Sequence, residues 1–130
     1  MLHLVRHLGI GLPDEMFDIF PRIGTLEVHL ATGFQNLIFD SPHFPKPLLD
    51  RIRAGLNEKY SADRGLEENE TQFIYRNRKR AFGDFKQALW DLPAENLQQI
   101  GRELEERFSL LYHKLNVVNT HNIIDHVFKQ

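Results

Sequence analysis

The chain contains no cysteine, which removes disulfides, thiolate nucleophiles and cysteine-ligated zinc together and suits a reducing compartment such as the cytoplasm. It also has little excess charge. Sixteen Lys and Arg against eighteen Asp and Glu leave a formal charge of −2, so no global basic field draws in nucleic acid or an anionic membrane. No apolar run approaches the ~20 residues of a membrane span. The opening MLHLVR is neither a signal peptide nor a transit peptide, and internal repeats and low-complexity tracts are missing. What is present, 130 residues with 42% hydrophobic and 26% charged, is the composition of one soluble globular domain.

The first forty residues differ in pattern from the rest. LHLVRH is short and apolar and is stopped by Gly9, Gly11 and Pro13, which predicts a strand. LPDEMFDIF predicts a short helix, with Pro13 near its first turn and Asp14 and Glu15 where the helix dipole favours acids. After the break at PRIG, TLEVHLATG predicts a second strand, and the short crossover implies parallel pairing. A period of two sets Leu26, Val28 and Leu30 on one face and Thr25, Glu27 and His29 on the other; His3, Val5 and His7 share a face in the first strand. Both His7 and His29 stand near the C-terminal ends of their strands.

The remainder predicts helices. Residues 46–59 carry Leu48, Leu49, Ile52 and Leu56 behind Pro47, and residues 71–90 carry Ile74, Ala81, Phe82, Phe85 and Leu89. Leu97, Ile100, Leu104, Phe108, Leu111 and Leu115 keep a 3/4 spacing over five turns. A last helix is expected after Thr120, burying Ile123, Ile124, Val127 and Phe128, and YSADRGLEENE (60–70) reads as a loop. The run RNRKR (76–80) is short and reads as a solvated helix face, with phosphate contact as the lesser option. His43, His113, His121 and His126 have no ligand spacing. Two parallel strands do not cover themselves, so the chain is expected to be the end of a larger α/β domain.

LVRHLGIGLPDEMF resembles the LV-x-HGG-S-GLPDE segment near the seventh strand of class II, metal-dependent fructose-bisphosphate aldolases. GTLEVHLATGFQN follows at the distance of that family's eighth strand, with its K-x-N-x-x-T-x-x-Q pattern. FIYRNRKRAFGDFKQALWDLP and KLNVVNTHNIIDHVF resemble the helical tail of one subgroup. The resemblance covers essentially the whole chain but only about the last third of a complete member. It implies an α/β fold class: a C-terminal fragment of a (β/α)8 TIM barrel, the last two strands in residues 1–40, followed by a mostly α-helical extension in residues 41–130.

The implied activity is that of a lyase cleaving a ketose 1,6-bisphosphate into two triose phosphates, in the cytoplasm. Zn2+ or another divalent metal acts as the Lewis acid, and the complete enzyme is a homo-oligomer with a sugar-phosphate substrate. By position, His7 matches a metal ligand and Gly9 the glycine loop that approaches the substrate phosphate. Thr32 matches the threonine bonding that phosphate, and His29 stands where many members have an asparagine contacting the triose. Leu8 and Ile10 replace a glycine and a serine of the pattern, and Ala31 and Gly33 replace residues that are often acidic. A catalytic zinc needs about three protein ligands. Since the resemblance supplies only one here, no catalytic residue is assigned and the isolated chain is expected to be inactive. The alternative is a non-catalytic helical interaction module derived from an aldolase.

Overall fold

The computed structural model describes residues 12–128 and, from residues 5–8, the backbone. These residues are mostly α-helical. The elements are β1 (Val5–Leu8), α1 (Ile19–Arg22), β2 (Glu27–Leu30), α2 (Thr32–Asp40), α3 (Lys46–Tyr60), α4 (Glu70–Asn77), α5 (Ala81–Asp84), α6 (Lys86–Trp90), α7 (Ala94–Lys114) and α8 (His121–Phe128). Among the described residues there is no barrel. The β content is one parallel pair, with Val5 opposite Glu27 and Leu8 opposite Leu30, so the expected α/β class narrows to a mostly helical chain carrying this pair.

Two compact units are formed, residues 1–34 with 102–130, and residues 35–101. In the first, Phe17, Phe20 and Leu111 form a buried cluster against which Leu12, Val28, Leu30, Phe34, Leu110 and Leu115 pack. The apolar face expected for β2 is thus present at Val28 and Leu30, whereas Leu26, just ahead of the strand, is exposed. The predicted helix over LPDEMFDIF divides into a 3-10 turn at Asp14–Met16 and the short α1. Gly24, at φ 71°, ends α1. Its N–H donates to the Pro21 carbonyl and that of Thr25 to the Phe20 carbonyl, a Schellman stop that turns the chain into β2. Asn116, at φ 55°, ends α7 by the same two bonds, to His113 from its own N–H and to Tyr112 from that of Val117.

In the second unit the buried side chains are Phe39, Ser41, Phe44, Leu48, Ile52, Leu56, Phe73, Asn77, Ala81 and Ile100. Leu48, Ile52 and Leu56 recur every four residues and form the inward stripe of α3. Phe85 lies over Gly55, where a Cβ would meet the ring edge at 2.6 Å, so α3 carries a glycine in mid-helix to admit that ring. The helix expected over 71–90 is interrupted, as α4, a 3-10 turn at Arg78–Arg80, α5 and α6. Its buried residues are Phe73, Asn77 and Ala81, so of the apolar set anticipated Ala81 is buried while Ile74, Phe82, Phe85 and Leu89 are not. Asn77 is tolerated inside because its side-chain amide donates to the Phe73 carbonyl at 2.9 Å. Asn69 and Gln72 close a capping box at the start of α4, each side chain accepting from the other's backbone N–H.

The basic run is consumed by the fold. Arg76 forks onto both oxygens of Glu68 at 2.8 Å. Arg78 reaches both oxygens of Asp40 and the side-chain carbonyl of Asn36 while lying 4.6 Å from the Tyr75 ring centroid. Arg80 pairs with Asp63 and covers the Tyr60 ring. Asp84 accepts from Lys59 at 2.6 Å and from the Tyr60 hydroxyl at 2.7 Å; the lysine first and the hydroxyl second hold its carboxyl below the usual range. The expected burial of Ile123, Ile124, Val127 and Phe128 is corrected. All four are exposed, from 51% at Ile124 to 82% at Phe128, because helical spacing makes a stripe without supplying a surface to cover it.

Phe73→Ala should cost about 3–5 kcal/mol, the usual range for deleting a fully buried ring, read as a lower urea midpoint. The fork from Arg76 pulls the Glu68 carboxyl down from 4.5 to about 2, against a smaller opposing effect of burial. A depressed carboxylate stabilises the fold fully above pH 4.5 and loses that contribution as pH falls towards 2. Glu68→Gln should therefore flatten the acid limb of stability in that window, and an unchanged limb would contradict the assignment. Two strands alone are marginal, so the Val28 amide should exchange much faster than that of Ile52; equal protection would show the pair to be firmly held.

Candidate functional site

The parallel register aligns His7 with His29 and Leu8 with Leu30. Both strands therefore end level, and the two histidine positions are neighbours one residue before those ends. Of His7 the backbone alone is described, and Gly9 lies outside the described residues. After β2 the chain passes through Ala31 directly into α2, whose first residue is Thr32. A helix N-terminus offers backbone N–H groups without intrahelical partners, and the half-buried Thr32 stands at that end. Thr32 and His29 are thus brought to the same end of β2.

His29 is held by its own strand. Its Nε2 lies 2.7 Å from Glu27 Oε1, the neighbour two residues away on the same face. With Nε2 donating to the carboxylate, a neutral ring carries its proton on that nitrogen. Glu27 was read only as part of the polar strand face; an i, i+2 acid–histidine pair on a strand was the available signal for their contact. His121 lies 3.6 Å from Asp125 on α8, away from the strand ends in sequence and outside any ligand set.

The fit of a metal is decided by ligand number. Among the described residues no group of three or more His, Cys, Asp or Glu side chains is arranged to hold a metal ion. A catalytic zinc takes about three protein ligands, so the described residues do not complete such a centre, and no reaction step is derived through one.

Two further features bear on the site. A groove of about 660 Å³ in the second unit is lined by Pro45, Pro47, Leu48, Arg51, Ala88 and Pro93, among others. It is mainly apolar, and Asp91 at its rim already accepts from Gln87 through both oxygens, so it gathers no acid–base chemistry. Closer to the strands, Asp14 is joined to Arg107 by an ion pair, and the Arg107 guanidinium lies 5.7 Å from the Phe17 ring centroid. Phe108, the next residue, stacks on Phe34 with ring centroids 4.6 Å apart. Nothing in the sequence signalled the Asp14–Arg107 pair, whose members are 93 positions apart.

No helix among the described residues is long and apolar enough to cross a membrane. Compared with protein-family models, curated proteins and solved structures, the chain matches none.

Proposed function

We propose that the chain is the C-terminal portion of a class II fructose-bisphosphate aldolase-type barrel, acting in the cytoplasm on a ketose 1,6-bisphosphate. The observation that supports this reading is the parallel, level-ended strand pair, which sets His7 beside His29 and starts a helix at Thr32. In βα barrels the chemistry is built on the C-terminal ends of strands and the segments that follow them. On this reading His7 is one ligand of a divalent metal, Gly9 and Thr32 meet a substrate phosphate, and His29, oriented by Glu27, contacts the triose. The remaining ligands and the proton-transfer acid come from barrel strands other than these two. The second reading, a helical interaction module, draws on the exposed apolar stripe of α8.

The purified 130-residue chain should not cleave fructose 1,6-bisphosphate; chelator-sensitive cleavage would overturn that expectation. Joined to the six upstream strands of a class II aldolase, the chain should bind zinc and turn over. There, His7→Ala should lower zinc affinity by roughly tenfold or more with little change in melting temperature, as loss of one ligand among about three requires. Zinc content and rate unchanged by His7→Ala would remove the ligand assignment. A fusion that folds without taking up zinc would favour the interaction module.

A further inference from the structure

Most charges of the second unit are paired within it, and those left over are sorted by the ends of α3. Among the described residues of this unit, the cations without an ion pair, side-chain hydrogen bond or ring contact are Lys46, Arg51 and Lys79. The acids in the same position are Glu58, Glu67 and Glu95. Lys46 and Arg51 stand in the first two turns of α3, at the apolar groove that Pro47, Leu48, Arg51 and Ala88 help to line. Glu58 stands in the last turn of α3, and Glu67 in the loop beyond it. Lys79 falls outside this pattern. Glu95 sits in the first turn of α7, where the helix dipole favours an acid, and the groove's own carboxylate, Asp91, is held by the Gln87 amide.

The loop beyond α3 carries Leu66, which is fully exposed. One exposed apolar residue is ordinary; here its backbone is fixed from both sides. The Glu68 N–H donates to the Gly65 carbonyl at 3.1 Å, and the Gly65 N–H donates to Glu68 Oε2 at 3.2 Å. Arg64 donates to the Glu68 carbonyl, and Arg76 holds both the Glu68 carboxylate and the Asp63 carbonyl. The closed turn presents Leu66 and Glu67 side by side, an apolar knob with an unpaired carboxylate.

We propose that this turn docks into the groove of a second copy of the chain, Leu66 entering the apolar lining and Glu67 meeting Arg51. The inference does not depend on the aldolase reading. From Arg51 to Tyr60 α3 rises about 14 Å, more than a leucine side chain spans, so the knob does not fill the groove of its own chain. The two patches are unlike, and copies therefore add head to tail. A turn already held in shape loses little freedom on docking. A contact this small lies below the ~1,200 Å² of a standard interface, so association belongs to chain concentrations of about 0.1–1 mM.

The test is sedimentation equilibrium of the full chain over that range. The wild-type mass should rise with concentration and fall back as added salt screens the ion pair. Leu66→Asp spoils the knob and leaves the groove; Ala88→Glu blocks the groove and leaves the knob. Each alone should associate roughly tenfold or more weakly, as loss of a buried leucine contact requires. Mixed, the two variants should form one-to-one pairs and nothing larger, since one working knob and one working groove remain. Glu67→Arg and Arg51→Glu should each weaken association, and the chain carrying both should recover it. These positions are exposed or line the groove, and an unchanged melting temperature confirms the fold of each variant. A wild type that stays at 15.3 kDa throughout, wild-type association in Leu66→Asp, or a mixture that fails to pair would each overturn the proposal.

Discussion

Four-residue parallel strands have two faces and two edges to satisfy, and everything in the first unit follows from how one face is covered. Val28 and Leu30 pack into the cluster of Phe17, Phe20 and Leu111, so the chain covers a face of β2 with a helix contributed from some eighty residues later. That closure is hydrophobic in origin, at roughly 25 cal/mol per Å² of apolar surface removed from water. It is made specific by directional contacts around its edge, the Asp14–Arg107 pair and the Phe34–Phe108 stack. The opposite strand face, with Glu27 and His29, is left polar and half open. A surface of that kind either meets water or meets the rest of a site.

The second unit uses charge where a larger core would have used area. Arg76, Arg78 and Arg80 each reach a carboxylate contributed by another segment. Exposed pairs of this sort are worth little singly, but they fix directions. Arg78 has only 12% of its side chain exposed and joins a bidentate carboxylate contact to a stacked tyrosine ring. That geometry accounts for arginine rather than lysine at this position. It also turns the run RNRKR from the solvated face expected of it into bracing, with three of its four cations paired to carboxylates inside the unit.

Those features sort the readable from the unreadable in the sequence. The strand pair, α3 and α7 were legible because each is a sustained period of two or of 3.6, with Pro47 marking the first turn of α3. The interruptions after Asn77 were not, because Phe73, Asn77 and Ala81 continue a helical spacing straight through the 3-10 turn. Phe73, which is completely buried, lies at the edge of the expected helix, and Asn77 is hidden by a hydrogen bond no composition rule anticipates. The α8 stripe was read correctly as amphipathic and wrongly as buried. Of the candidate site, the place of His29 near the end of β2 was legible from alternation. Arg107 was not, since a contact between residues 14 and 107 is a property of closure, which local pattern does not encode.

Closure also sets what the strand pair can do chemically. A closed barrel satisfies every strand edge with a neighbouring strand; among the described residues β1 and β2 pair only with each other. In this chain His29 settles on Glu27, an acceptor on its own strand. A carboxylate commonly orients an imidazole through such a contact. The acid two residues earlier anchors one side of the ring from the same strand face, so its orientation is set by the strand itself.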